Sequence, residues 1–201
     1  MLSKRSLAFR ESILKMCEAQ TLIVRDIRNH LCSSCLLVVE NNPGVARIYD
    51  NTGKLILDVV DLVPGDFVTR HGNDGFTLDY SHAWLVSEYF RIRGDEKHSN
   101  LELCRQQYGD LSSIDDMLER FVRSVAPKTR WIHLCDEKDP YEHLGLHIGD
   151  GIINFRKCAE LLKTYLKEDV VATIEVRDSH TEEGFRRIIE HDFPILEDLF
   201  S

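Results

Sequence analysis

Apolar residues at Ile13, Leu14, Cys17, Leu22, Ile23, Ile27 and Leu31 recur at helical spacing between Ser6 and about His30, with charged residues between them, so the chain is predicted to open with a helix. CLLVVENN (35–42) is different: a short continuous apolar run stopped by Asn, Pro43 and Gly44, the mark of a strand buried on both faces and therefore of a parallel sheet. VARIYDNTGKLILDV then reads as a hairpin about Asn51 to Gly53, and DVVDLVPGDFV as a short helix or turn. GFTLDY (75–80) is a second buried strand and leads into the helical SHAWLVSEYF. DLSSIDDMLERFVRSV carries a helix starting at Ser112 or Ser113, with acidic residues in its first turn.

A third strand follows at once in TRWIHLCD (129–136). The loop EKDPYEHLGLHIGDG ends in Gly149-Asp150-Gly151, which supplies tight positive-φ backbone before a helix, NFRKCAELLKTYL, with Phe155, Cys158, Leu161, Leu162 and Tyr165 on one face. The strand VVATIEVRD and the helix TEEGFRRIIEHD complete the alternation. Strand and helix in turn are the grammar of parallel βα units with right-handed crossovers: an α/β protein, either an open doubly wound sheet or part of a (β/α)8 barrel. Residues 1–34 form an N-terminal helical segment packed on a domain covering 35–201.

Composition narrows this picture without changing it. With 201 residues, 43% hydrophobic and 29% charged, and only 11 Gly and 5 Pro, the chain is neither disordered nor of low complexity. No apolar run approaches the roughly 18 residues needed to cross a bilayer, and the N-terminus is charged throughout, so a soluble cytoplasmic protein without a membrane partner is expected. Twenty-five Lys and Arg against 34 Asp and Glu give a net charge of −9, which argues against nucleic acid as the partner. Six scattered cysteines suit reduced thiols; Cys32 and Cys35 in CSSC have a redox or metal spacing, but a lone C-x-x-C is a weak signal and free thiols before a buried strand are the favoured reading.

In parallel α/β folds functional groups gather at the C-terminal ends of the strands. All four predicted parallel strands end in residues able to bind a metal: Glu40 in LLVVE, Asp79 and His82 in LDYSH, His133 in WIHLCD and Glu175 in TIEV. Each is embedded in or just after an apolar run, where an unpaired charge costs several kcal/mol. Singly, such a residue caps a helix or meets an arginine more often than it binds a metal. On four successive strands a common compensation is the simpler account, and a divalent cation held by two Glu, one Asp and one His provides it, with Mn²⁺, Zn²⁺, Co²⁺ or Mg²⁺ suited to these oxygen and nitrogen donors.

The order ENN, LDYSHA, HLCD, HIGDGIINF and IEV resembles the second half of the xylose isomerase-like TIM-barrel superfamily, which includes sugar-phosphate isomerases, epimerases and endonuclease IV. The resemblance covers about Cys35 to Asp192 and implies that Glu40, Asp79, His133 and Glu175 bind the metal. His82, second member of D-x-x-H, is then a further ligand or a substrate contact. The superfamily often has a polar His or Arg four residues before its G-x-G turn; here that position is Gly145, so His143 or His147 is the candidate for contact with substrate. Lys138 is a candidate for an anionic substrate group, or simply solvated. The first predicted strand matches the fifth of the superfamily, so the chain is expected to begin inside a barrel at its fourth helix.

Three functions follow from the resemblance. The leading one is a metal-dependent isomerase or epimerase of a sugar or sugar phosphate, with Glu40 and Glu175 removing and returning a proton through an enediolate. The others are an endonuclease IV-like phosphodiester hydrolase, against which the acidic balance stands, and a catalytically inactive half-barrel acting as a binding module. A half-barrel leaves open sheet edges, so a homodimer or a separate N-terminal half-barrel is the expected partner.

Overall fold

The computed structural model describes residues 38–41, 45–49, 55–60, 75–93, 113–140 and 143–201, together with Leu22, Asp26 and His30. These three are helical and exposed, within the predicted opening helix, whose other residues, like Cys32 and Cys35, lie outside the described ones.

Four strands form a parallel sheet: β1 (Val38–Glu40), β4 (Gly75–Asp79), β5 (Thr129–Leu134) and β6 (Val171–Ile174), side by side in that order. The chain is thus a mixed α/β protein. Between β1 and β4 the predicted hairpin is present as β2 (Val45–Tyr49) antiparallel to β3 (Leu55–Val60), a separate two-stranded ribbon. β3 takes up Asp58, Val59 and Val60, where the sequence pattern predicts a helix or turn; the β-branched pair continues the strand instead.

All five residues of β4 are buried, as a strand flanked by two others and covered on both faces must be. Gly75 starts it because a Cβ there would meet the Cγ of Arg130 at 2.5 Å and the Cγ1 of Val38 at 2.9 Å, side chains of both flanking strands. Helix α1 (Tyr80–Arg93) follows directly and is buried at every position from Tyr80 to Tyr89, which is why its sequence lacks a polar stripe. Helix α2 (Ile114–Val125) is amphipathic by contrast. Ser113 caps it, accepting the N–H of Asp116, and Met117, Leu118, Phe121, Val122 and Val125 are buried, with the Phe121 ring edge-on to Phe76 of β4 at 6.5 Å.

Helix α3 (Phe155–Tyr165), capped by Asn154, buries Phe155, Cys158, Ala159 and Leu162. The last predicted helix is longer than its pattern suggests. It begins at α4 (Glu182–Arg187), widens into a π-turn over Ile188–Asp192 and continues as α5 (Phe193–Phe200). Pro194 has no N–H to give, so it sits in the first turn of α5, where none is required.

The sheet ends at β6, three of whose four residues are exposed, Val171 by 53%. The predicted strand VVATIEVRD is present, and among the described residues it lies at the edge of the sheet. Beside it an apolar groove of about 720 Å³ runs between β6, α3 and α5, lined by Leu162, Leu166, Ile174, Phe193 and Leu196 among others. This groove contains none of the candidate site residues. Among the described residues, no helix is long and apolar enough to cross a membrane.

Candidate metal centre

Parallel pairing aligns the strand ends and sets the site. Asp79 lies opposite His133 in the β4–β5 register, Glu40 opposite Thr77 in the β1–β4 register, and Glu175 follows β6 with its N–H donated to the carbonyl of Leu134. Residues from four different strands are thereby delivered to one rim. One ligand atom each from Glu40, Asp79, His133 and Glu175 lie within 4.8 Å of one another, so these groups could hold a metal ion. Two bonds of about 2.1 Å, ordinary for oxygen or nitrogen on a divalent ion, span a comparable distance.

Two physical features fit this donor set to a cation. Nδ1 of His133 is buried and 2.6 Å from Oε2 of Glu175 and 3.4 Å from Oε1 of Glu40, yet is not aligned for a hydrogen bond with either. The His133–Glu175 pair is within ion-pair distance, and donor atoms this close could be bridged by one cation in place of a proton. Secondly, three carboxylates meet one imidazole. At an effective dielectric of about 20, two like charges about 4 Å apart repel by about 4 kcal/mol, an upper figure where solvent screens Glu40 and Glu175. A divalent ion converts that repulsion into attraction.

The four candidate donors are held unequally. Asp79 is 1% exposed, and its Oδ1 accepts from the Ser81 hydroxyl at 2.6 Å and the His82 N–H at 2.9 Å, leaving Oδ2 to face the site. The Glu40 and Glu175 side chains are 37% and 55% exposed. Burial raises the Glu40 pKa above the usual 4.5; His133 opposes the rise, and Asp79 and Glu175 reinforce it. Asp79 and His133 at the base and two glutamates at the mouth leave the cluster open towards solvent.

His82 adjoins this cluster, its Nδ1 3.3 Å from Oδ2 of Asp79 and 3.9 Å from Oε1 of Glu40. The His143 ring packs edge-on against it with centroids 4.6 Å apart, so of the two loop histidines His143 is the one brought to the site. His147 is committed elsewhere. Nearly buried, it places Nδ1 2.6 Å from Asp192 and Nε2 3.0 Å from Asp178, tying the loop to the turn after β6 and to the π-turn. Lys138 is exposed on the loop after β5.

The loop that carries His143 is built on two buried carboxylates that the sequence pattern did not single out. Asp136 is fully buried: its Oδ1 accepts the N–H groups of Glu137 and Ile153, and its Oδ2 those of Gly149 and Gly151, at 2.8–3.0 Å. Gly149 has the expected positive φ, 91°, and a Cβ on Gly151 would come within 2.3 Å of Asp136 Oδ1, so the turn wraps the carboxylate too closely for a side chain. Glu137, also fully buried, accepts from the N–H groups of Leu144 and Gly145 and from His143 Nδ1 at 2.6 Å. A carboxylate closing an apolar run, the cue that singled out Glu40, is present at WIHLCD too; its service to backbone N–H groups far along the chain is a tertiary fact.

The hydrogen bond to Glu137 raises the His143 pKa above 6.5, with burial opposing. A histidine whose folded pKa is raised contributes stability in full below its unfolded pKa and loses it as pH rises through the folded value. Wild type is therefore expected to exceed His143→Gln in unfolding free energy by more at pH 6 than at pH 9, as urea denaturation at each pH would read. Equal differences at both would contradict the pairing.

A second group, Cys135, Glu137 and His143, also brings three donor atoms within 4.8 Å. Its members are already engaged. Cys135 contacts Ser81 Oγ at 3.1 Å, burial raises the pKa of its thiol far above the ordinary range, and Glu137 is saturated with donors. No protein-family model, curated protein or solved structure matches the chain.

Proposed function

We propose that the protein is a divalent-metal-dependent isomerase or epimerase of a sugar or sugar phosphate, built as the second half of a (β/α)8 barrel. One observation carries the proposal: Glu40, Asp79, His133 and Glu175, from four separate strands, converge within 4.8 Å at the carboxyl rim of a parallel sheet. That is where parallel α/β folds place their chemistry. A bound divalent ion would polarise a substrate carbonyl and hold the adjacent hydroxyl.

The chain's own groups divide the remaining work. Glu40 and Glu175, exposed at the mouth, remove and return the proton on either side of the substrate carbon; burial, which raises the Glu40 pKa above the ordinary value, favours its proton-carrying form relative to a free carboxyl. Asp79 and His133, fixed in the sheet, remain ligands throughout. His82 and His143 border the opening, where substrate hydroxyls would be recognised. A second copy, or a separate N-terminal half laid against the open β6 edge, belongs to the same proposal.

Glu175→Gln tests it. The amide keeps a neutral oxygen for the ion but cannot accept a proton. The variant is expected to retain divalent-metal binding, weakened, while exchange of a ketose or sugar-phosphate C–H with solvent deuterium falls at least about 1,000-fold. Undiminished exchange in the variant would contradict the assignment.

A further inference from the structure

We infer that Asn41 is a positioning residue that fixes both the aim of Asp79 and the tautomer of His82. The inference rests on the metal-dependent reading above and extends it to a residue that touches neither ion nor substrate. Asn41 follows the last residue of β1 and is 3% exposed. Its side-chain Nδ2 donates to the carbonyl of Asp79 at 2.7 Å, and its Oδ1 accepts the Asp79 N–H at 2.9 Å. A side-chain amide has the same donor and acceptor as a peptide group, so Asn41 supplies one more rung to the β1–β4 ladder just where β1 ends. The backbone of Asp79 is held on both sides, and its carboxylate is aimed accordingly.

The main chain of the same residue acts on the other member of D-x-x-H. The carbonyl of Asn41 lies 2.7 Å from Nδ1 of His82. A carbonyl oxygen only accepts, so Nδ1 carries a proton, and in the neutral ring the lone pair is left on Nε2. His82 thereby presents an acceptor or ligand nitrogen rather than an N–H. The third contact is a main-chain one that any residue could make; the part of asparagine is to hold that main chain, through its amide rung on Asp79, where the carbonyl meets the ring. Backbone and side chain of one asparagine together set the two residues on which the site's geometry depends.

The test uses the full chain, Mn²⁺ as probe, and Asn41→Ala. In the folded variant, Mn²⁺ affinity by titration calorimetry is expected to fall about 10–100-fold, the usual consequence of losing a partner behind a metal ligand. Nitrogen chemical shifts of the metal-free proteins are expected to show His82 as the Nδ1–H tautomer in wild type; the variant keeps the main-chain carbonyl but loses the amide rung that holds it against the ring, so a mixture of tautomers is expected there. Wild-type affinity and an unchanged tautomer in a folded variant would overturn the inference. So would an Nε2–H tautomer in the metal-free wild type, a measurement that stands even if the variant does not fold. If wild type binds no Mn²⁺, the metal-dependent reading fails by itself, and the tautomer comparison alone decides: a change on Asn41→Ala upholds the positioning role, and no change overturns it.

Discussion

His133→Ala is expected to reduce divalent-metal affinity by at least about 100-fold, more than loss of an outlying partner usually costs, while leaving the fold in place. His133 is the only nitrogen donor among the four candidate donors, and its buried Nδ1 lies 2.6 Å from Glu175 in ion-pair range without a hydrogen bond. Its removal leaves three carboxylates facing one another. The strand does not depend on the ring: β5 pairs through its backbone with β4 and β6, and its core contacts come from Ile132 and Leu134. Calorimetric titration with Mn²⁺ or Zn²⁺, beside far-ultraviolet circular dichroism, separates the two effects. Wild-type affinity in a folded variant would remove His133 from the site.

The largest effect on stability is expected at Asp136. Asp136→Ala strips four backbone N–H groups of one shared acceptor, in a loop that folds around the carboxylate with Gly151 where a Cβ would collide with it. A buried donor left unsatisfied costs about 1–3 kcal/mol. The loop can relax to recover part of that, so a loss of at least about 4 kcal/mol in unfolding free energy is expected, in the range reserved for broken buried networks. Asp136→Asn keeps one acceptor oxygen but presents an NH₂ group to the remaining donors, and should fall between. Urea denaturation reads both. A change below about 1 kcal/mol in the alanine variant would show that the loop holds its shape by other means.

What the sequence disclosed followed the physics each signal reports. Continuous apolar runs marked strands covered on both faces, so β4 and its successor helix were legible, and the polar residues closing those runs pointed to Glu40, Asp79, His133 and Glu175. The sequence leaves the burial of β6 open, because VVATIEV reads the same whether or not a neighbour lies beyond it; its place at the sheet edge is decided by topology. The end of the last helix misled for a local reason. Pro194 looks like a stop, yet it occupies the first turn of α5 after a π-turn.

The supporting shell was out of reach for a different reason. Asn41, Asp136 and Glu137 act through hydrogen bonds to backbone groups 7 to 38 positions away, and no periodicity encodes such partners. His143 and His147 could not be separated by type or spacing. The fold separates them, with one ring against His82 and the other between Asp178 and Asp192.

The central claim is that Glu40, Asp79, His133 and Glu175 hold one divalent ion. Anomalous diffraction from a crystal grown with Mn²⁺ tests it most directly. The account predicts a single strong anomalous peak within about 2.0–2.3 Å of a donor atom from each of the four. A peak seated instead on Cys135, Glu137 and His143, or no ordered ion near the strand ends at saturating Mn²⁺, would contradict it.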